Sequence, residues 1–130
     1  MRIKAMFTIL GGFLGWFFGG LDGFLYALIT LVVLDYLTGV ALAIYNKELS
    51  SSIDAKGIVK KLLIFALVGV GNIFDMYLIE NGGAIRTAVI FFYISNESIS
   101  ILENVSKTNL PIPEFLKSVL ESYKGKYRDK

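Results

Sequence analysis

The chain contains no cysteine and no histidine. Disulfides, thiolate nucleophiles, zinc or haem ligation through those side chains, and catalytic pairs built on histidine are thereby removed. No cofactor, metal or catalytic residue is expected. Charge is also scarce: 18% of residues are charged against 55% hydrophobic, and the charges gather at the two ends and in one loop. A chain of 130 residues fits one domain, but this composition belongs to the membrane class rather than the ordinary globular one. No glycine-rich loop of phosphate-binding spacing occurs, and the cations sit where membrane topology puts them, so no nucleotide or nucleic-acid partner is expected.

What the chain has instead is a set of long apolar runs. Residues 24–45 contain no lysine or arginine and one carboxylate, Asp35, at the middle. As a helix this stretch rises roughly 33 Å, enough for the ~30 Å hydrocarbon of a bilayer. A central Asp costs about 2.5–3.5 kcal/mol on insertion scales. Twelve Leu, Ile, Val and Phe residues oppose it, at about −0.3 to −0.6 kcal/mol each near the centre, and win by a small margin. The segment is expected to insert with Asp35 facing a helix partner or water.

Windowed hydropathy marks four segments: residues 5–21, 24–45, 58–79 and about 84–102, the last apolar through Tyr93 and polar enough beyond it to lie at the interface. The basic start, Arg2 and Lys4, resembles a secretory signal, but no alanine-type cleavage pattern follows, and an uncleaved first helix is expected. With the amino terminus in the cytoplasm, four crossings put twelve of the thirteen basic residues inside, among them Lys47, Lys56, Lys60 and Lys61 as the cations that set topology. Arg86 alone falls outside, near Glu80. Both termini are therefore expected in the cytoplasm, and the two short outer turns imply two helical hairpins.

After Val105 the chain becomes polar, with both prolines, Pro111 and Pro113, close together. From there Phe115, Leu116, Val119, Leu120 and Tyr123 recur at helical spacing, which predicts an amphipathic helix on the inner leaflet or a docking helix between subunits. The expected architecture is all-α: a transmembrane helical domain over residues 1–105 and a cytoplasmic amphipathic tail over 106–130.

The polar and small residues inside the apolar runs are patterned. Gly11, Gly15, Gly19 and Gly23 recur every four residues, a spacing that lets helix backbones approach closely, either the first helix on the second or one subunit on another. Asp35, Gly39 and Ala43 repeat the interval, with Thr38 alongside. Gly69, Asn72 and Asp75 follow at three-residue spacing. Asn96, Glu97, Ser100, Glu103 and Asn104 form a polar stripe on the fourth segment. Either these faces satisfy one another within a monomer, the usual fate of intramembrane polar groups, or they line water in an oligomer. Asp35, Asp75, Glu97 and Glu103 are all acidic, and no basic residue is expected at mid-depth to pair with them, which favours the second reading. Asp35 and Asp75 are expected at different depths, which argues against an intramembrane aspartyl protease dyad.

Three blocks in order resemble the holins of the toxin-secretion/phage-lysis family. They are LDYLTGVALAIYNKELSSSIDAKGIVKK at residues 34–61, FFYISNESISILENV at 91–105, and LPIP at 110–113. Asp35, Tyr36, Thr38 and Gly39 match the first core, and Asn96, Glu97, Glu103 and Asn104 the second. The resemblance implies a protein of the bacterial cytoplasmic membrane that homo-oligomerises and, at a set time, forms lesions. Those lesions would release an endolysin or a toxin without necessarily contacting it, with an antiholin as a further possible partner. It also implies three crossings rather than four, as members of the family are often drawn, with the fourth segment the one in question.

Overall fold

The computed structural model describes residues 2–48 and 51–128. Five helices follow one another: α1 (Arg2–Phe18), α2 (Gly23–Tyr45), α3 (Ser51–Ile73), α4 (Ala84–Ser106) and α5 (Glu114–Arg128). α3 runs on without a break into a wider π-helical turn, Phe74–Ile79. Every element among the described residues is helical. Lys130 and Ser50 lie outside the described residues, as do the side chains of Lys124, Lys126 and Arg128.

The helix ends follow from local chemistry. Asp22 caps α2, its carboxylate accepting from the Leu25 amide at 3.0 Å. α1 stops at Gly19, whose φ of +80° suits a residue without a side chain. A Cβ there would also stand 2.4 Å from Asn72 Oδ1, so the position excludes a side chain twice over. The α3–α4 connection turns through Glu80, Gly82 and Gly83, all at positive φ.

Three spans are long and apolar enough to cross a membrane: α2, the stretch from Ala55 to Ile79, and α4. α1 is 17 residues with Arg2 and Lys4 in its first turn, about 25 Å long and the shortest of the four apolar segments. Of the four expected crossings the structure thus supports three, and the segment left over is the first rather than the fourth. α4 holds together through its polar half because Glu97, Ser100 and Asn104 face other helices rather than lipid.

α2 packs most extensively on α4, and α3 closes a three-helix bundle against both. Its core is small: Leu25, Leu28, Val32, Ile64, Val68 and Ile90, edged by Phe18, Phe65, Val89, Tyr93 and Ile94. The seam residues recur at alternating three- and four-residue steps, the spacing of closely aligned helices. They are Leu25, Leu28, Val32 and Asp35 on α2, with Lys61, Ile64 and Val68 on α3. Most large apolar side chains point outward, as a lipid-facing surface requires. α1 departs from the bundle. Only its last turn is held, against α3, while Ile3, Met6, Phe7, Ile9 and Leu10 are all more than half exposed.

Candidate functional site

A polar layer closes each end of the apolar core. The layer on the side of the α2–α3 connection is centred on Lys61. Its Nζ lies 2.5 Å from Asp35 Oδ2 and 3.1 Å from Glu97 Oε2, so one ammonium on α3 serves a carboxylate on each of the other two helices. Asp35 is further held by donors from α4, Ser100 Oγ at 2.6 Å and Asn104 Nδ2 at 3.1 Å on Oδ1. Asn104 also donates to Thr38 Oγ1 at 3.0 Å, and Thr38 in turn donates to the Asp35 carbonyl at 3.1 Å. Gly39 admits this approach: a Cβ there would meet Asn104 Nδ2 at 3.7 Å. Asp35 and Glu97 are both buried.

These contacts correct one expectation. Asp35 and Glu97 do have a cation, Lys61, which reaches inward from the first turns of its span instead of only marking the end of it. Lysine carries four methylenes before its charge, so a residue placed near an interface can set its ammonium well inside. A signal for this was present: Lys61, Ile64, Val68, Asn72 and Asp75 share one helical face, which places Lys61 on the packed side and leaves Lys60 off it.

The second layer is centred on Arg86. Its guanidinium donates to both Asp22 oxygens, at 2.9 and 3.1 Å, to the Gly20 carbonyl at 3.0 Å and to the Phe18 carbonyl. Asn72 donates to the Trp16 and Phe17 carbonyls at 3.0 and 3.1 Å. Together the two side chains bind four carbonyls at and just beyond the C-terminal end of α1, of which that of Trp16 also accepts from the Gly19 amide at 3.3 Å. Asp75 receives the Ile85 and Arg86 amides at 3.0 and 2.8 Å, capping α4. Hydrogen bonding from Arg86 holds the Asp22 carboxyl below its usual range, against the opposing effect of partial burial. Arg86 was read from sequence only as the one outer cation; its burial among the carbonyls of a loop and helix end 64 to 68 residues away leaves no local sequence signal. Asp35 and Asp75 take part in different layers with different partners and do not form a carboxylate pair.

The remaining expected positions divide. Glu103 pairs with Lys107 at 3.0 Å on an exposed face of α4. Asn96 accepts from the Tyr123 hydroxyl at 3.2 Å, which ties α5 back along α4, with Leu120 buried beneath it. Gly69 lies under the Phe17 ring; a Cβ there would fall 2.0 Å from it. The first helix therefore meets α3 and not α2, correcting the intramolecular alternative read from the glycine spacing. Gly11, Gly15 and Gly23 meet nothing within 4 Å of a built Cβ. Lys47, Lys56 and Lys60 are exposed. Among the described residues no group of His, Cys, Asp and Glu is placed to hold a metal ion.

The class defined by this arrangement is a small polytopic helical membrane protein whose bundle is held by buried polar layers. The chain matches the bacteriophage holin family over residues 12–125 and belongs to that family. It is similar to an uncharacterized protein of Clostridium perfringens strain 13, 41% identical over 124 residues, covering 95% of this chain and 92% of the relative. An uncharacterized 14.9 kDa protein from the nagH 3′ region of Clostridium perfringens is 42% identical, covering 95% and 94%. An uncharacterized protein of Listeria monocytogenes is 38% identical, covering 97% and 91%. No solved structure matches the chain.

Proposed function

We propose that the protein is a holin of the bacterial cytoplasmic membrane, which accumulates as a homo-oligomer and at a set time opens lesions that release an endolysin or a toxin. The observation that carries this reading, beside family membership, is the Lys61 layer. Two carboxylates compete for one ammonium across three helices. A separation or rotation of any one helix breaks the arrangement at once, and the polar groups so freed need water. In the resting bundle these groups satisfy one another. In the assembled lesion the same faces, with Asp35, Thr38, Asn96, Glu97, Ser100, Glu103 and Asn104, line an aqueous hole, and Asn72 and Asp75 line its outer mouth.

Lateral packing comes from α1. Its glycine face at Gly11 and Gly15 is uncovered within one chain and suits a neighbouring helix backbone. Lys47, Lys56 and the tail face the cytoplasm under the positive-inside rule, and Arg86 faces outward. Both termini are inside, with α1 crossing at the short end of the usual range. The division into a membrane domain over residues 1–105 and a cytoplasmic tail over 106–130 follows from the same orientation. No catalytic step, cofactor or nucleic acid enters the mechanism. An antiholin would act by joining the oligomer through the same seams.

Induced expression in a bacterium with and without a cytoplasmic endolysin tests the proposal. The expected result is a delay, then abrupt depolarisation with escape of a folded cytosolic reporter, and lysis only when endolysin is present. Depolarisation without protein release would replace the large lesion with a small channel. Correct insertion without depolarisation at any level would leave a membrane adaptor and overturn the proposal.

A further inference from the structure

The Lys61 layer also borders an open groove on the surface of the bundle. Between α3 and α4 runs a groove of about 360 Å³, with Leu63 and Leu67 along one wall, Tyr93 and Asn96 on the other, and Lys60 and Gly57 at the mouth. Its floor reaches Lys61 and Glu97, which are already paired with each other. The mouth is different. Lys60 and, one turn earlier, Lys56 are exposed, and neither has a carboxylate partner among the described residues. Gly57 between them leaves the backbone open, since nothing lies within 4 Å of a built Cβ. The far rim is where Tyr123 docks on Asn96. In sequence, Lys124, Lys126, Arg128 and Lys130 follow directly, against Asp129 alone.

We infer that this groove binds one anionic phospholipid of the surrounding bilayer, with an acyl chain along Leu63 and Leu67 and the phosphate at Lys56 and Lys60. Three features select that occupant. The groove is amphipathic lengthwise, apolar toward the middle of the span and cationic at its start. Lys56 stands at the start of the span, next to Ala55, and Lys60 lies about 6 Å further along the helix, from where its long side chain can reach back to the level of the phosphates. Basic pockets between membrane helices on the positive side are suited to anionic headgroups. A soluble anion would leave the apolar wall unused, and an apolar helix would leave both lysines facing nothing. A lipid seated there bridges α3 to α4 beside the Lys61 layer, so the bundle would sense the anionic lipid content of its membrane. The inference depends on membrane insertion and not on lesion formation.

The test uses the full-length protein, purified in detergent, stripped of lipid and titrated with phosphatidylglycerol or phosphatidylcholine, with bound lipid counted by native mass spectrometry. Phosphatidylglycerol is expected to bind about tenfold tighter than phosphatidylcholine. The double variant Lys56→Gln, Lys60→Gln should lose that preference while Lys47→Gln, a cation outside the groove, keeps it. Leu67→Phe, which fills the apolar wall without changing charge, should weaken retention of both lipids, with helicity by circular dichroism unchanged in all variants. Equal binding of the two lipids overturns the inference. So does loss of preference in Lys47→Gln equal to that in the double variant, or competition by inorganic phosphate as effective as by phosphatidylglycerol.

Discussion

Replacing Lys61 with Met removes the charge at the centre of the Lys61 layer while keeping most of the side-chain volume. The Lys61 side chain is 19% exposed and those of Asp35 and Glu97 are 9% and 8%, so the three charges share a largely dry site. Breaking a buried pair by deleting one partner costs about 3–5 kcal/mol, because it leaves an uncompensated charge. Asp35 retains Ser100 and Asn104 as donors. Glu97 keeps only the Asp35 carboxyl beside it, so the two carboxyls, left without their shared cation, dominate the loss. We expect Lys61→Met to lower stability by about 3 kcal/mol, near the lower bound because Lys61 is partly wet. Asp35→Asn should cost about 1 kcal/mol, since the Lys61–Glu97 pair survives and the amide oxygen still accepts from Ser100. Lys61→Met combined with Glu97→Gln should be more stable than Lys61→Met alone, a sign that charge and not shape is at issue. Unfolding by sodium dodecyl sulfate in mixed micelles, followed by circular dichroism and by Trp16 fluorescence, measures all three. Lys60→Met is the control, with an expected change within about 0.5 kcal/mol. In cells Lys61→Met should trigger earlier than the parent, and Asp35→Asn should shift lysis timing with insertion intact. Equal losses in Lys61→Met and Lys60→Met, or a double variant as unstable as the summed singles, would refute the assigned role.

Other perturbations address the Arg86 layer, the first helix and the orientation. Arg86→Lys loses the fork that reaches Asp22 and two carbonyls together, and should cost about 1–3 kcal/mol while hydrogen exchange rises at residues 19–22. The Asp22 contribution is present above its unfolded-state pKa and is lost as pH falls through its lowered folded-state value, so protection at residues 19–22, relative to the intrinsic exchange rate at each pH, should fall below about pH 4 in the parent and change little with pH in Asp22→Asn. Gly69→Ala should displace the Phe17 ring and cost about 1–2 kcal/mol, seen as a lower unfolding midpoint. Gly15→Leu, in open space, should leave that midpoint unchanged but alter cross-linked oligomers and lysis time. Because the chain has no cysteine, single replacements report topology directly: Ser118→Cys and Lys4→Cys should resist an impermeant thiol reagent in intact cells, and Asn81→Cys should react.

Much of the fold was readable because hydropathy and helix period agree in this chain. α2 and α4 begin within a residue or so of where the apolar runs begin, and the amphipathic spacing after Pro113 became α5. Part of the polar pattern was also readable as interior, from Asp35 with Gly39 and from Glu97, Ser100 and Asn104 of the α4 stripe, whereas Asn96 and Glu103 of that stripe lie toward the surface. The partners of the interior residues were not. Lys61 sits beside Lys60, and windowed hydropathy treats both as an end marker, although only Lys61 continues the face of Ile64 and Val68. The Arg86 contacts join segments 64 to 68 residues apart, a separation no local pattern records. The four-residue glycine repeat showed that close approach was possible without showing which glycine is used: Gly69 takes the Phe17 ring, while Gly11 and Gly15 take nothing in the single chain.

The arrangement of a small core between two polar layers has a consequence for mechanism. In water, six buried apolar side chains would leave such a bundle marginal; in lipid they contribute little net drive, because hydrocarbon is as good a neighbour as another leucine. Association of α2, α3 and α4 must then come largely from the layers at Lys61 and Arg86 together with close packing between them. Loss of one layer should therefore leave the helices inserted, since insertion depends on each span alone, but able to re-pair about the layer that remains. The two layers are not equivalent in this respect. The Arg86 layer is built on helix caps and loop carbonyls, so it holds chain connections that persist through any rearrangement of the bundle. The Lys61 layer joins three helix interiors and nothing else, and its groups are the ones a rotation would expose to water. A transition between a closed bundle and a wet assembly is thus expected to open from the Lys61 side and pivot about Arg86. Under that scheme Lys61→Met shortens the delay before lysis, whereas Arg86→Lys loosens α1 and disturbs assembly of the oligomer more than its timing.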